Sequence, residues 1–298
     1  MNYRNAASSV VAAALWMLGA LLSFMAMAVA GRELSAQLNT FQILFFRSLI
    51  GLSVVSLLLT VSGWGQARTR VPGLQIVRNL AHFGGQFGWF YGLAFIPLAE
   101  VFAIEFTGPI WTAFWAALLL GERLTRPRLI TILLGMVGLV IILRPGLQGV
   151  HPAAFAVLAS AVGFALAHTL TRRLAQNDTP LCILFYMTLI QLPLGLVPSL
   201  TNWVTPTVTL WPWLLLVGFG ALTAHYCVTR ALLLADVTVV MPMDFLRLPL
   251  IAIVGTLFYQ EAFDPLVLLG AGVMLLGNWI NLSAESRRLR AAAEHRST

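Results

Sequence analysis

Long apolar runs alternate along the chain with short breaks that carry arginine, proline or glycine. A bilayer core of about 30 Å takes roughly 20 apolar residues per helix, and that ruler divides the chain into ten segments. They are Ser8–Gly31, Asn39–Val61, Leu74–Ile96, Ala99–Leu120, Leu129–Leu143, Ala153–Leu174, Leu181–Leu200, Trp213–Leu234, Val237–Tyr259 and Pro265–Leu282. The fifth is short, and the ninth contains Pro242 and Pro249. The pattern predicts an all-α membrane protein with ten transmembrane helices. In the first segment "AMAVAG" offers a small-residue cleavage site, but the apolar stretch is longer than a secretory signal core, so it reads as a retained helix.

Composition agrees with this class. Of 298 residues 59% are hydrophobic and only 10% charged, against about a quarter charged in soluble domains. The formal charge of +7 would suit nucleic acid, but the 18 basic residues are all arginine and fall between the apolar runs. With a cytoplasmic N-terminus, the cytoplasmic side receives Arg4, Arg68, Arg70, Arg123, Arg126, Arg128, Arg172, Arg173 and the arginines of the C-terminal tail. The other side receives Arg32 and Arg144. By the positive-inside rule this bias predicts an even number of spans with both termini inside, a multi-pass protein of the cell inner membrane. The arginines therefore read as topological, and no nucleic-acid partner is expected. The tail "SAESRRLRAAAEHRST" reads as solvated and near anionic headgroups.

The chain also matches itself when slid by about half its length. "FQILFFRSLI", Phe41 to Ile50, falls on "LCILFYMTLI", Leu181 to Ile190; Glu122 meets Glu261, Gly138 meets Gly277, and Glu105 meets Asp244. Two five-helix halves follow, residues 1–148 and 149–284, with 285–298 as a cytoplasmic tail. Because five is odd, the second half enters from the opposite side, an inverted-topology repeat of the kind secondary transporters use.

Two carboxylates stand inside the run "PLAEVFAIEFTGPIWTAFWAALLLGERL": Glu100 and Glu105. An unpaired acid in hydrocarbon is costly, and such groups are functional or paired. Glu100 reads as a residue near the mouth. Glu105 and its repeat equivalent Asp244 are each followed by a breaker, Gly108-Pro109 and Pro249. Broken helices at membrane depth free backbone groups where they line protein or water. These acids are candidates to bind a cationic or polar substrate group, or a proton; the rival is structural pairing, since Asp244 and Arg247 stand i, i+3 and can neutralise each other. Arg47, Arg78 and Arg230 offer further pairing across helices.

His82 and Gln86 share a face of the third segment, and His225 and Thr229 a face of the eighth. An imidazole there can relay protons or simply bond a neighbouring helix. Aromatic residues crowd the third and fourth segments, and Phe83, Phe90 and Trp111 are the candidates for stacking or cation–π contact. Gly84, Gly88 and Gly92 form a small-residue ridge for helix packing. No metal-ligand spacing, phosphate loop or dinucleotide fingerprint occurs, so neither a cofactor nor enzymatic catalysis is expected.

The "FFRSLIG" of the second segment, "RNLAHFGGQFGWFYGLAFIPLAE" of the third, "GERLTRPRLITILLGMVGLVIILRPG" closing the first half and "EAFDPLVLLGAGVMLLGNWI" closing the second resemble the drug/metabolite transporter superfamily with two EamA repeats. The resemblance covers nearly the whole chain. Arg47 and Arg78 with Trp89, Tyr91, Gly92, Leu93 and Pro97 look most like the branch of S-adenosylmethionine and vitamin uptake carriers. It implies a central cavity lined by spans 1, 3, 4, 6, 8 and 9, with spans 5 and 10 peripheral, and adds Trp16 to the candidates. Arg47 and Tyr91 match Met187 and Arg230 in the second half, so the site is not expected to be two-fold symmetric. The expectation is a secondary transporter, monomer or homodimer, that moves a small organic metabolite by alternating access, with or without proton coupling. An exporter of amino acids or drugs is the alternative within transport, and a membrane-embedded enzyme or scaffold the alternative outside it.

Overall fold

Hydrocarbon offers no partner for backbone N–H or C=O groups, so a chain this apolar must satisfy them within helices. The structure, a computed structural model, describes residues 3–121, 125–144, 149–234 and 243–297. Its long elements are α1 (Tyr3–Ser35), α2 (Thr40–Ser62), α3 (Pro72–Phe95), α4 (Leu98–Glu105), α5 (Gly108–Leu120), α6 (Arg126–Leu143), α7 (Pro152–Leu174), α8 (Pro180–Ser199), α9 (Trp211–Leu234), α10 (Arg247–Tyr259) and α11 (Pro265–Ser297). Short 3-10 turns follow α2 and α8 and precede α9. Proline at the first helical positions of α3 and α5 to α8 sets the backbone where no amide partner is needed. The Asn39 and Thr179 side chains cap α2 and α8 by accepting from the amides of Gln42 and Cys182.

Eight stretches among the described residues are long and apolar enough to cross a membrane, and α10 is a shorter apolar helix. The expected ninth segment began at Val237, and its residues 237–242, Pro242 included, lie outside the described residues, as do Glu122 and Arg123. α3 is long enough at 24 residues, but polar side chains along one of its faces lower its hydropathy. The expected fourth span consists of α4 and α5, broken at Phe106 and Thr107 ahead of Gly108-Pro109. The C-terminal span, Pro265–Ala284, agrees with the expected Pro265–Leu282, and α11 continues as helix beyond it through Ser297.

Packing divides the chain into two compact units that do not coincide with its sequence halves. One comprises Met1–Ser23, Pro97–Val150 and Thr223–Thr298, the other Phe24–Ile96 and His151–Leu222. In the first, α6 lies along α11. Thr131 near the start of α6 donates to the Gly277 carbonyl at 2.7 Å, while Arg144 at its end pairs with Asp264 at the start of α11. The two helices therefore run antiparallel. A side chain at Gly138 would meet the Gly270 carbonyl oxygen at 2.5 Å, so the backbones approach as closely as glycine allows.

In the second unit α2 lies along α8 and α3 along α7. The N-terminal residues of α2 bond the segment after α8: Asn39 donates to the Asn202 carbonyl, and Gln42 exchanges bonds with Val204. Reciprocally, Thr179 at the start of α8 donates to the Gln66 carbonyl after α2. These repeat-equivalent helices are antiparallel as well. Asp178, buried beside them, accepts from Thr69 at 2.6 Å and from Gln75 at 2.8 Å.

Of the expected glycine ridge of α3, Gly88 packs closely and Gly84 does not. Gly84 faces open space, whereas side chains at Gly85 and Gly88 would strike Phe164 and the Ala156 carbonyl oxygen of α7. Overpacked contacts typically cost about 1–3 kcal/mol, and more where the obstacle is backbone. Gly88→Val is therefore expected to lower the melting temperature of purified protein by several degrees while Gly84→Val leaves it near wild type; equal melting temperatures would contradict this packing.

Candidate functional site

The third helix is built with its polar face inward. Gln75, Arg78, Asn79, His82 and Gln86 are all buried, while Ile76, Val77 and Leu80 are about half exposed. The buried positions recur at three- and four-residue steps, so one stripe of donors and acceptors faces α7 and α8 and the opposite face suits lipid. His82 Nδ1 stands 3.0 Å from the side-chain nitrogens of both Gln86 and Gln191, the latter from α8. The expected His82–Gln86 pair is thus present, and Gln191 joins it. Its ring packs edge-on against Phe164 of α7, with centroids 5.5 Å apart.

Among the described residues, neither Arg78 nor Arg47 of this unit meets a carboxylate. Arg78 donates from Nε to Thr171 Oγ1 at 2.9 Å and from Nη1 to Asn79 Oδ1 at 2.6 Å. Arg47 on α2 is half-buried, and its Nε is enclosed without a hydrogen-bond partner among the described residues. Asn79 Nδ2 and Gln86 Oε1 are likewise enclosed and unpartnered, an uncommon condition for buried polar atoms. Of the aromatic candidates, Phe83 stacks on Phe41 with centroids 6.4 Å apart, and Phe90 is almost wholly enclosed against Gly31 of α1 and Trp89.

The other unit holds the two acids. Glu105 is the last residue of α4, and Asp244 stands just before the turn at Phe245 and Leu246 that precedes α10. The helix therefore breaks at the same place in each half. Phe106 and Phe245, the residues after the acids, pack together with ring centroids 4.3 Å apart. Asp244 Oδ2 accepts from Arg247 at 2.5 Å, as the i, i+3 spacing suggested, while Oδ1 is buried without a partner among the described residues. The Arg247 guanidinium also lies over Phe102 and Phe106, at 5.6 and 5.5 Å. Trp111 Nε1 donates to Thr107 Oγ1 at 3.2 Å, bridging the break of α4 and α5.

At the α1–α9 contact, Arg230 lies 5.1 Å over the Trp16 ring and donates to the Tyr226 hydroxyl at 3.2 Å. Trp16 and Tyr226 meet edge to face, with centroids 5.7 Å apart. His225 is exposed. The residues that sequence reasoning missed are Asn79, Thr171 and Gln191. Each was visible as a polar residue in an apolar segment, but only the packing shows which of them share a neighbourhood.

Apolar helices with hydrogen-bonding residues turned inward define a multi-pass membrane protein, the architecture that handles polar solutes in a bilayer. The chain belongs to the EamA-like transporter family, whose model matches it twice, at residues 11–144 and 151–283. Among curated proteins it is similar to an "S-adenosylmethionine uptake transporter" of Rickettsia bellii, 25% identical over 92% of this chain and 94% of the relative. It is similar to a "Riboflavin transporter" of Vibrio cholerae, 29% identical over 88% of this chain and 90% of the relative. A "Pseudopaline exporter CntI" of Pseudomonas aeruginosa is 31% identical over 85% and 89%.

The Asp244–Arg247 pair makes a concrete test of the broken helix. Contacting charges usually couple by about 0.5–3 kcal/mol. Removing the arginine alone strands a carboxylate in a poorly hydrated place, so Arg247→Gln should destabilise more than Asp244→Asn/Arg247→Gln together. Additive losses in a double-mutant cycle would show that the pair contributes nothing.

Proposed function

We propose that the protein is a secondary carrier of the inner membrane that moves a small organic metabolite by alternating access through ten spans. The spans form two five-helix inverted-topology repeats, 1–148 and 149–284, with both termini and the 285–298 tail cytoplasmic. The observation that carries this reading is the buried polar stripe of α3 in a chain whose family is one of transporters. In this reading α3 is a span despite its lower hydropathy, because its polar atoms face protein. The antiparallel pairing of the repeat-equivalent helices α2 with α8 and α6 with α11 supports inversion. The arginine bias supports the orientation, and the two arginines on the opposite side are tied down: Arg144 by Asp264, and Arg32 by the Leu93 carbonyl at 2.5 Å.

The names of the relatives point to S-adenosylmethionine and riboflavin, each a flat heteroaromatic ring system carrying a hydroxylated sugar-derived group. Gln86, His82 and Gln191, together in one unit, provide hydrogen-bonding groups for such a solute. Glu105 and Asp244, at the helix breaks, are the groups proposed to take a proton or a cationic substituent. Export is the second reading, favoured by the name of the Pseudomonas relative.

Protein reconstituted in liposomes should take up one of these compounds saturably and exchange it against an internal pool, and the dependence on an imposed gradient reads the direction. Glu105→Gln should retain the wild-type melting temperature yet lose transport or shift its dependence between about pH 5 and 8. Unsaturable flux would identify a channel, and an unchanged pH profile would remove Glu105 from the mechanism.

A further inference from the structure

The second unit contains an unbalanced charge. Its acids are Glu33, near the end of α1, and Asp178, in the α7–α8 connection. Asp178 accepts from Thr69, the Arg70 amide and Gln75, and bonds neither Arg47 nor Arg78. Those two guanidiniums sit on α2 and α3, which pack against each other. The protein partners of Arg78 are neutral oxygens, Thr171 Oγ1 and Asn79 Oδ1. Arg47 makes no ion pair among the described residues, and its Nε is sealed from water.

A buried cation without a counter-charge costs several kcal/mol, so proteins bury arginine with a carboxylate or leave room for an anionic ligand. Two guanidiniums on packed helices intensify that cost, and an anion placed against both relieves it. The planar fork of arginine suits the two oxygens of a carboxylate. Donors are available: Arg47 Nε and Asn79 Nδ2 are enclosed and unused. Arg78 has spent its Nε and Nη1 on fixing its own orientation. Arg47 is half-buried, and Arg78 and Asn79 are enclosed.

We infer that Arg47 and Arg78, with Asn79 beside them, form a binding site for a carboxylate group of the transported metabolite. This deepens the carrier reading and rests on it: the substrate is a carboxylate-bearing metabolite, and of the compounds named for relatives, one with an amino-acid moiety fits and riboflavin does not. Phosphate shares the chemistry, and the test separates the two anions.

Melting temperatures of the full-length protein in detergent are measured in sodium acetate, sodium phosphate and sodium chloride at equal ionic strength, and with S-adenosylmethionine against its decarboxylated analogue. The expected result is a rise of a few degrees in acetate over chloride, exceeding that in phosphate. Arg47→Gln should abolish this rise, and Arg47→Lys should keep part of it. Without ligand, Arg47→Gln should melt at or above wild type, because a charge without an ion-pair partner has been removed. Should S-adenosylmethionine bind, its decarboxylated analogue should bind at least tenfold more weakly. The inference is overturned if Arg47→Gln melts well below wild type and keeps the acetate response, or if phosphate outdoes acetate. Because none of these readings uses transport, a failure of the carrier reading in liposomes shows separately.

Discussion

A bilayer satisfies no hydrogen bond, and the rest of this structure follows from that fact. Backbone groups must close on themselves, which forces helices. Side-chain polarity must turn away from lipid, which forces α3 to present Gln75, Arg78, Asn79, His82 and Gln86 inward while Ile76, Val77 and Leu80 face out. The same constraint makes each inward polar atom conspicuous. Most find partners, and a few, such as Arg47 Nε and Asn79 Nδ2, have none among the described residues, an uncommon condition for enclosed polar atoms.

Packing between helices then depends on close approach more than on apolar attraction, because lipid is as apolar as leucine. Gly88 against α7 and Gly138 against α11 supply that approach. Hydrogen bonds to carbonyls lock it, as Thr131 does to Gly277. Turns follow Glu105 and Asp244, and the rings just after the two acids, Phe106 and Phe245, meet. In each half the turn directly follows an acid, Glu105 or Asp244.

Much of this was legible in the amino-acid pattern. Helical class, most segment positions and the break ahead of Gly108-Pro109 follow from apolar run length and breakers. The Asp244–Arg247 pair and the His82–Gln86 contact follow from local spacing. What spacing could not provide was partnership across helices. Asn79 and Gln191 are ordinary polar residues until α3 and α8 are set side by side, and Gly84 was expected to pack where the rotation of α3 instead places Gly85. Nor could spacing show that Phe90 fills a gap beside Gly31, or that Arg78 bonds Thr171 in place of an acid.

The central claim is that the inward face of α3 meets solute during function and is more than a polar seam. Asn79 tests it most directly, being fully enclosed here. In a background with Cys182 and Cys227 replaced, Asn79→Cys in membrane vesicles is exposed to a membrane-impermeant thiol reagent. Alternating access predicts slow but measurable labelling whose rate changes when transported metabolite is added. A folded protein whose cysteine stays inert with and without solute would contradict the account and leave the stripe a structural element alone.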